Sequence, residues 1–127
     1  MENLQIGPSK SSPRIAFDCT SHVLEITGES FPEDAALFYM PVFKWLNLYL
    51  DGLGDESVQM KVDVNYFNSS SSKVLMDLFE LLDEHVQKGK RIEVFWISQA
   101  DNDTGIEFGE EFKECVVDLP FHLVSRE

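Results

Sequence analysis

Val58-Gln59-Met60-Lys61-Val62-Asp63-Val64-Asn65-Tyr66 alternates without a break. Val58, Met60, Val62, Val64 and Tyr66 point to one side of an extended strand, and Gln59, Lys61, Asp63 and Asn65 to the other, so one sheet face is dry and the other wet. Asn68-Ser69-Ser70-Ser71-Ser72 follows, and directly behind it Leu75, Leu78, Phe79, Leu82 and Val86 fall on one face of a helix that ends at Gly89. Arg91 to Ser98 supplies the next strand, so the strand–helix–strand unit reads as a right-handed parallel crossover. The wet alternate face places the helices mostly on one side of the sheet.

Upstream, Ile15–Asp18 and His22–Thr27 form a hairpin around Cys19-Thr20-Ser21. Ser30-Phe31-Pro32-Glu33 matches a capping box and predicts a helix start. Val42, Trp45, Leu46 and Tyr49 continue from Phe38 at helical spacing, with Pro41 expected to kink the helix or begin a second segment. The outer side of that helix carries Leu37, Met40, Lys44, Asn47 and Leu48, an apolar face for a solvated helix. Downstream, Thr104-Gly105-Ile106-Glu107 is a second capping box that opens a short helix toward Glu114, and Leu119–Val124 makes a last strand. The sum is a single α/β domain with a mixed sheet of about five strands and about three helices. Residues 1–14, rich in Ser, Pro, Gly and Lys, read as a loose segment ahead of a domain spanning 15–127.

A length of 127 residues fits one domain, and 43% hydrophobic residues suffice for a packed core. Against 10 Lys plus Arg stand 23 Asp plus Glu, a formal charge of −13, which repels phosphate backbones and anionic lipid heads. Nucleic-acid and membrane-surface binding are therefore not expected. No stretch is apolar over the roughly 20 residues a bilayer requires, no secretory signal is visible, and Cys19 and Cys115 alone imply no disulfide framework. These features lead to an expected cytoplasmic location.

Catalytic and metal signatures are missing. His22, His85 and His122 lie far apart, and the Asp101–Gly105 stretch has Ile106 and Phe112 where a calcium loop needs Gly and Glu. No phosphate loop, dinucleotide turn or nucleophile elbow occurs, and no base is recognisable for a serine nucleophile. No cofactor is expected, and no enzymatic activity. Adjacent acids such as Asp83-Glu84 read as solvated surface. The serine turn remains: a cap needs one hydroxyl or amide, and here Asn68 is followed by four serines. A phosphate on the first of them would meet unpaired N–H groups and the positive end of the helix dipole. Met76 lies on the outer face of the same helix, amid Ser72, Glu80, Asp83 and Gln87, as an isolated apolar residue suited to a partner-binding surface.

Tyr66-Phe67-Asn68-Ser69-Ser70-Ser71-Ser72-Lys73, followed by Met76-Asp77-Leu78-Phe79 and Leu82-Asp83-Glu84, resembles the signature of the SiaC-type bacterial regulatory phosphoproteins. Gly28-Glu29-Ser30-Phe31-Pro32-Glu33, then Phe38, Pro41, Trp45, Leu46 and Tyr49, and near the end Gly109-Glu110-Glu111-Phe112 with Leu119-Pro120-Phe121, extend the likeness over roughly residues 15 to 124. Such proteins are similar in layout to STAS domains, the anti-sigma-factor antagonists. The resemblance implies a non-enzymatic switch whose hydroxyl after the Asn is phosphorylated by a partner protein kinase and dephosphorylated by a PPM-type phosphatase. The unmodified form then binds and activates a diguanylate cyclase or similar effector, in cyclic di-GMP signalling. Carried over by motif, the modified residue is Ser69, with Ser70 and Ser71 as secondary candidates; the family commonly has Thr there. The docking surface expected around it comprises Asn68, Ser69, Ser70, Lys73, Met76, Asp77 and Glu80. The alternative readings are an anti-sigma factor antagonist and a small-molecule binding module with a pocket lined by Trp45, Tyr66 or Trp96.

Overall fold

A computed structural model describes all 127 residues. Six strands make one sheet in chain order: β1 (Leu4–Ile6), β2 (Arg14–Asp18), β3 (Val23–Ser30), β4 (Ser57–Phe67), β5 (Arg91–Gln99) and β6 (Phe121–Arg126). β1, β2 and β3 pair antiparallel, and β3 through β6 pair parallel. The three parallel connections are α1 (Ala35–Asp51), α2 (Ser69–Gln87) and α3 (Asp103–Cys115). Leu24 and Ile26 of β3, Val58 to Val64 of β4, and Ile92, Val94 and Trp96 of β5 present their buried parity to one layer of helices. From α1 come Tyr39, Val42, Leu46 and Leu50, from α2 Leu75, Leu78, Phe79 and Leu82, and from α3 Phe112. The opposite parity, Gln59, Lys61, Asp63 and their neighbours, faces water or is half-buried, as the alternation predicts. No helix is long and apolar enough to cross a membrane.

Several boundaries differ from the sequence reading, each for a physical reason. Residues 1–14 are not wholly a loose segment: Leu4–Ile6 pairs with β2, and the Trp45 indole donates to the Glu2 carbonyl at 2.8 Å. Three residues with half-buried Leu4 and Ile6 are too few for periodicity to register. The sheet therefore has six strands rather than about five. The cap of α1 is Asp34, whose carboxylate accepts the Leu37 N–H at 3.1 Å, and not Ser30, which still belongs to β3. Period two explains this: Leu24, Ile26, Gly28 and Ser30 share a parity, so the Ser30 hydroxyl turns inward. α1 runs unbroken through Pro41, an exposed residue inside the helix whose missing N–H leaves the Leu37 carbonyl without its i→i−4 donor on the solvent side. Likewise Asn102, not Thr104, caps α3 by accepting the Gly105 N–H at 3.0 Å.

Tyr66 is exposed rather than buried. Gly28 pairs with Val64 but Glu29 pairs with Tyr66, so Asn65 is a surplus residue in β4. A bulge of this kind inverts the side-chain parity beyond it. Tyr66 turns out, where its ring meets Phe31 edge-on at 5.6 Å, and Phe67 turns in against Trp96, Phe108 and Phe112. Gly28, at φ +119°, supplies the backbone conformation on the facing strand that a side chain would resist.

The serine turn at the head of α2

Asn68 leaves β4 in extended conformation and caps α2. Its side-chain oxygen accepts the Ser71 N–H at 2.9 Å, its carbonyl accepts the Ser72 N–H at 2.9 Å, and its own N–H donates to the Ser30 carbonyl at 3.1 Å. Ser69, Ser70 and Ser71 are thereby the first three helical residues. The N–H groups of Ser69 and Ser70 are left without intrahelical acceptors, as at any helix start.

The three hydroxyls have different fates. Ser69 and Ser70 are exposed, whereas Ser71 is 0% exposed. The Ser71 hydroxyl accepts from the Ser30 hydroxyl at 2.9 Å, and the Ser30 oxygen lies 2.8 Å from the phenol of Tyr39. Ser30 has spent its single proton on Ser71, so Tyr39 is the donor to Ser30. Burial pushes the Tyr39 phenol up to about 12, with the Ser30 hydrogen bond opposing, so the phenol keeps its proton at neutral pH.

Of the other residues expected at this surface, Lys73, Asp77 and Glu80 are exposed along α2. Ser70, Lys73, Val74 and Asp77 form one wall of a groove of about 340 Å³, and Glu33, Asp34, Ala35 and Ala36 form the other. Lys73 makes no ion pair, and its neighbours in the groove are three carboxylates to one ammonium. Met76 is half-buried and packed against the core, which corrects its reading as an isolated exposed residue; only part of its side chain is available to a partner. Asp83, read as solvated surface, is buried. Its carboxylate accepts the backbone N–H groups of Val117 at 3.0 Å, Asp118 at 2.9 Å and Leu119 at 2.9 Å. Burial raises its pKa, but the three N–H donors lower it further, and the net position is below the usual carboxylate value.

Trp45, Tyr66 and Trp96 do not converge on a pocket. Trp45 and Trp96 are core residues with indole N–H groups satisfied by the Glu2 and Gly105 carbonyls, and Tyr66 lies on the outside. Sequence reasoning missed Ser30 and Tyr39 as parts of the turn. The signals were present: Ser30 shares the parity of Leu24 and Ile26, and Tyr39 shares the helical face of Val42 and Leu46.

The arrangement offers an accessible hydroxyl at a strand-to-helix turn, free amides beside it and a capping amide behind it, with no base or nucleophile-activating group. Comparison with known proteins identifies the family. The model of the SiaC family of regulatory phosphoproteins matches residues 6–126. An uncharacterized protein of Pseudomonas aeruginosa strain UCBPP-PA14 is 31% identical over 114 residues, 90% of each chain. SiaC of Pseudomonas aeruginosa superposes with a TM-score of 0.90 at 28% identity, over 99% of this chain and 100% of that one. The SiaC chain crystallised with the diguanylate cyclase SiaD, whose activator it is, also reaches 0.90 at 29% identity, over 97% of this chain and 99% of that one. With the matched segment spanning nearly the whole chain and the fold shared over 99% of it, the protein belongs to the SiaC family of regulatory phosphoproteins.

Proposed function

We propose that this chain is a phospho-switch in which Ser69 is reversibly phosphorylated by a partner protein kinase and cleared by a PPM-type phosphatase. The unmodified form binds and activates a diguanylate cyclase. The observation that carries this reading is the exposed Ser69 hydroxyl at the first position of α2, next to two amides with no intrahelical acceptor. A phosphate there gains hydrogen bonds and the favourable end of the helix dipole, so the modified turn is stable as built. It also brings about −1.5 to −2 charges to the centre of the surface formed by Asn68, Ser69, Ser70, Lys73, Met76, Asp77 and Glu80. A partner packed on the neutral hydroxyl then meets repulsion from a surface already rich in carboxylates, together with the cost of desolvating the dianion. Ser70 is less suited, because it opens into the groove with Glu33, Asp34 and Asp77. The cyclase as effector rests on the SiaC chain that accompanies SiaD.

Fragment mass spectrometry after incubation with the kinase and ATP tests the site. Wild type gains one phosphate on Ser69, and Ser69→Ala gains none. In a cyclase assay, Ser69→Ala keeps its activating effect in the presence of kinase, and Ser69→Asp loses at least tenfold in apparent affinity. Modification confined to other residues, or an effector indifferent to Ser69→Asp, refutes the proposal.

A further inference from the structure

From the buried hydroxyl chain, we infer that Ser30 and Tyr39 are positioning residues for the modification turn: they hold Ser71 inside the fold and so confine modification to Ser69 and Ser70. The inference rests on the phospho-switch reading for its biological sense, but its geometry stands apart. Four serines in a row are nearly equivalent as chemistry, and a kinase that accepts an extended turn would meet all of them. The fold distinguishes them. Ser30 grips the turn twice, through its carbonyl on the Asn68 N–H and through its hydroxyl on the Ser71 oxygen. Tyr39, fully buried on α1, closes the chain by donating to Ser30. A serine on the adjacent strand and a tyrosine on the neighbouring helix therefore set the rotational phase of the first turn of α2. In that phase Ser71 faces the core, and Ser69 and Ser70 face water.

To bring the Ser71 hydroxyl to a phosphoryl donor, the first turn must unwind and its buried hydrogen bonds must break. A buried hydrogen bond of this kind holds the closed form by a factor of several, on the order of tenfold. Removing the Ser30 hydroxyl strands those of Ser71 and Tyr39, and removing the Tyr39 hydroxyl takes away the donor that fixes Ser30 toward Ser71, so in each case the open form gains by a similar factor.

The test compares Tyr39→Phe and Ser30→Ala with wild type by residue-resolved amide exchange, which needs no kinase. Exchange at Ser71, Ser72 and Lys73 should rise about fivefold to tenfold, while amides from Leu78 to Val86 keep their rates. Val42→Ala, a core truncation on α1, serves as control: it should loosen the molecule evenly, which a merely structural role for Tyr39 would also do. In a Ser69→Ala/Ser70→Ala background, kinase and ATP should leave Ser71 unmodified, and adding Tyr39→Phe or Ser30→Ala should let phosphate appear there. Exchange that is unchanged, or that rises evenly along α2, overturns the inference, as does a loosened turn on which Ser71 still takes no phosphate. If wild type takes no phosphate on any of these serines, the phospho-switch reading fails by itself. The exchange arm then decides the positioning role alone.

Discussion

Asn68 carries two tasks at one position. It is the residue that follows β4, tied by its own N–H to the Ser30 carbonyl, and the residue whose side chain accepts the Ser71 N–H at the head of α2. Caps of this type contribute about 1 kcal/mol, so Asn68→Ala should lower unfolding stability by about that amount in a urea titration. Asn68→Asp, which keeps the acceptor and adds a negative charge at the helix N-terminus, should hold stability at or slightly above wild type. An alanine variant as stable as wild type would mean that the cap is superfluous and that Ser30 alone holds the turn. Asn68 and the exposed serines were legible in the sequence, because a cap followed by hydroxyls is a local pattern. Ser30 was misread for the same reason. Ser30-Phe31-Pro32-Glu33 satisfies the local grammar of a capping box, and only its strand parity shows that the hydroxyl is spent on Ser71 and Tyr39.

At the scale of elements, α2 does more than fill the crossover. Its Asp83 gathers the backbone of residues 117–119, the link between α3 and β6, around one carboxylate. The pKa of Asp83 is lowered in the folded state, against the opposing effect of burial. The ionised form is therefore bound more tightly by the folded chain than by the unfolded one. Its stabilisation is present above the ordinary carboxylate range, about pH 4, and is lost as pH falls through the folded value. Thermal melts should show the midpoint dropping in that acid range, with a shallower drop in Asp83→Asn. That variant should also cost about 2–3 kcal/mol at neutral pH, since a charged acceptor of buried N–H groups is replaced by a neutral one. An equally steep acid profile in Asp83→Asn would place the sensitivity elsewhere. The sequence could not announce this clamp, because its partners are backbone groups more than thirty residues away. By contrast, the helices and the long strands declared themselves through their periods, and only the ends moved by a few residues where a cap competed with a look-alike.

For the molecule as a whole, the excess of 23 acids over 10 bases acts on a fold whose helices cover one sheet face. Raising salt from about 10 mM to about 150 mM shortens the Debye length from about 30 Å to about 8 Å, so self-repulsion is screened and the melting midpoint should rise by a few degrees. A fall over that range would mean that attractive contacts such as the Arg126–Asp63 ion pair outweigh the repulsion. Fold class, strand order through the crossover and the accessible serine were all recoverable from pattern. The edge strand β1 was not, because three half-buried residues carry too little signal, and neither was the outward turn of Tyr66, which depends on one unpaired residue in β4.

That unpaired residue gives β4 one unit of slack near its end. Excising Asn65 would act like drawing a dropped stitch tight: the neighbours that pair across to Gly28 and Glu29 already skip it, so the phenol would stay in water and the benzyl ring in the oily layer, and the loss would be local, the bend of the strand and the hold of Asn65 on Arg126 and Asn102.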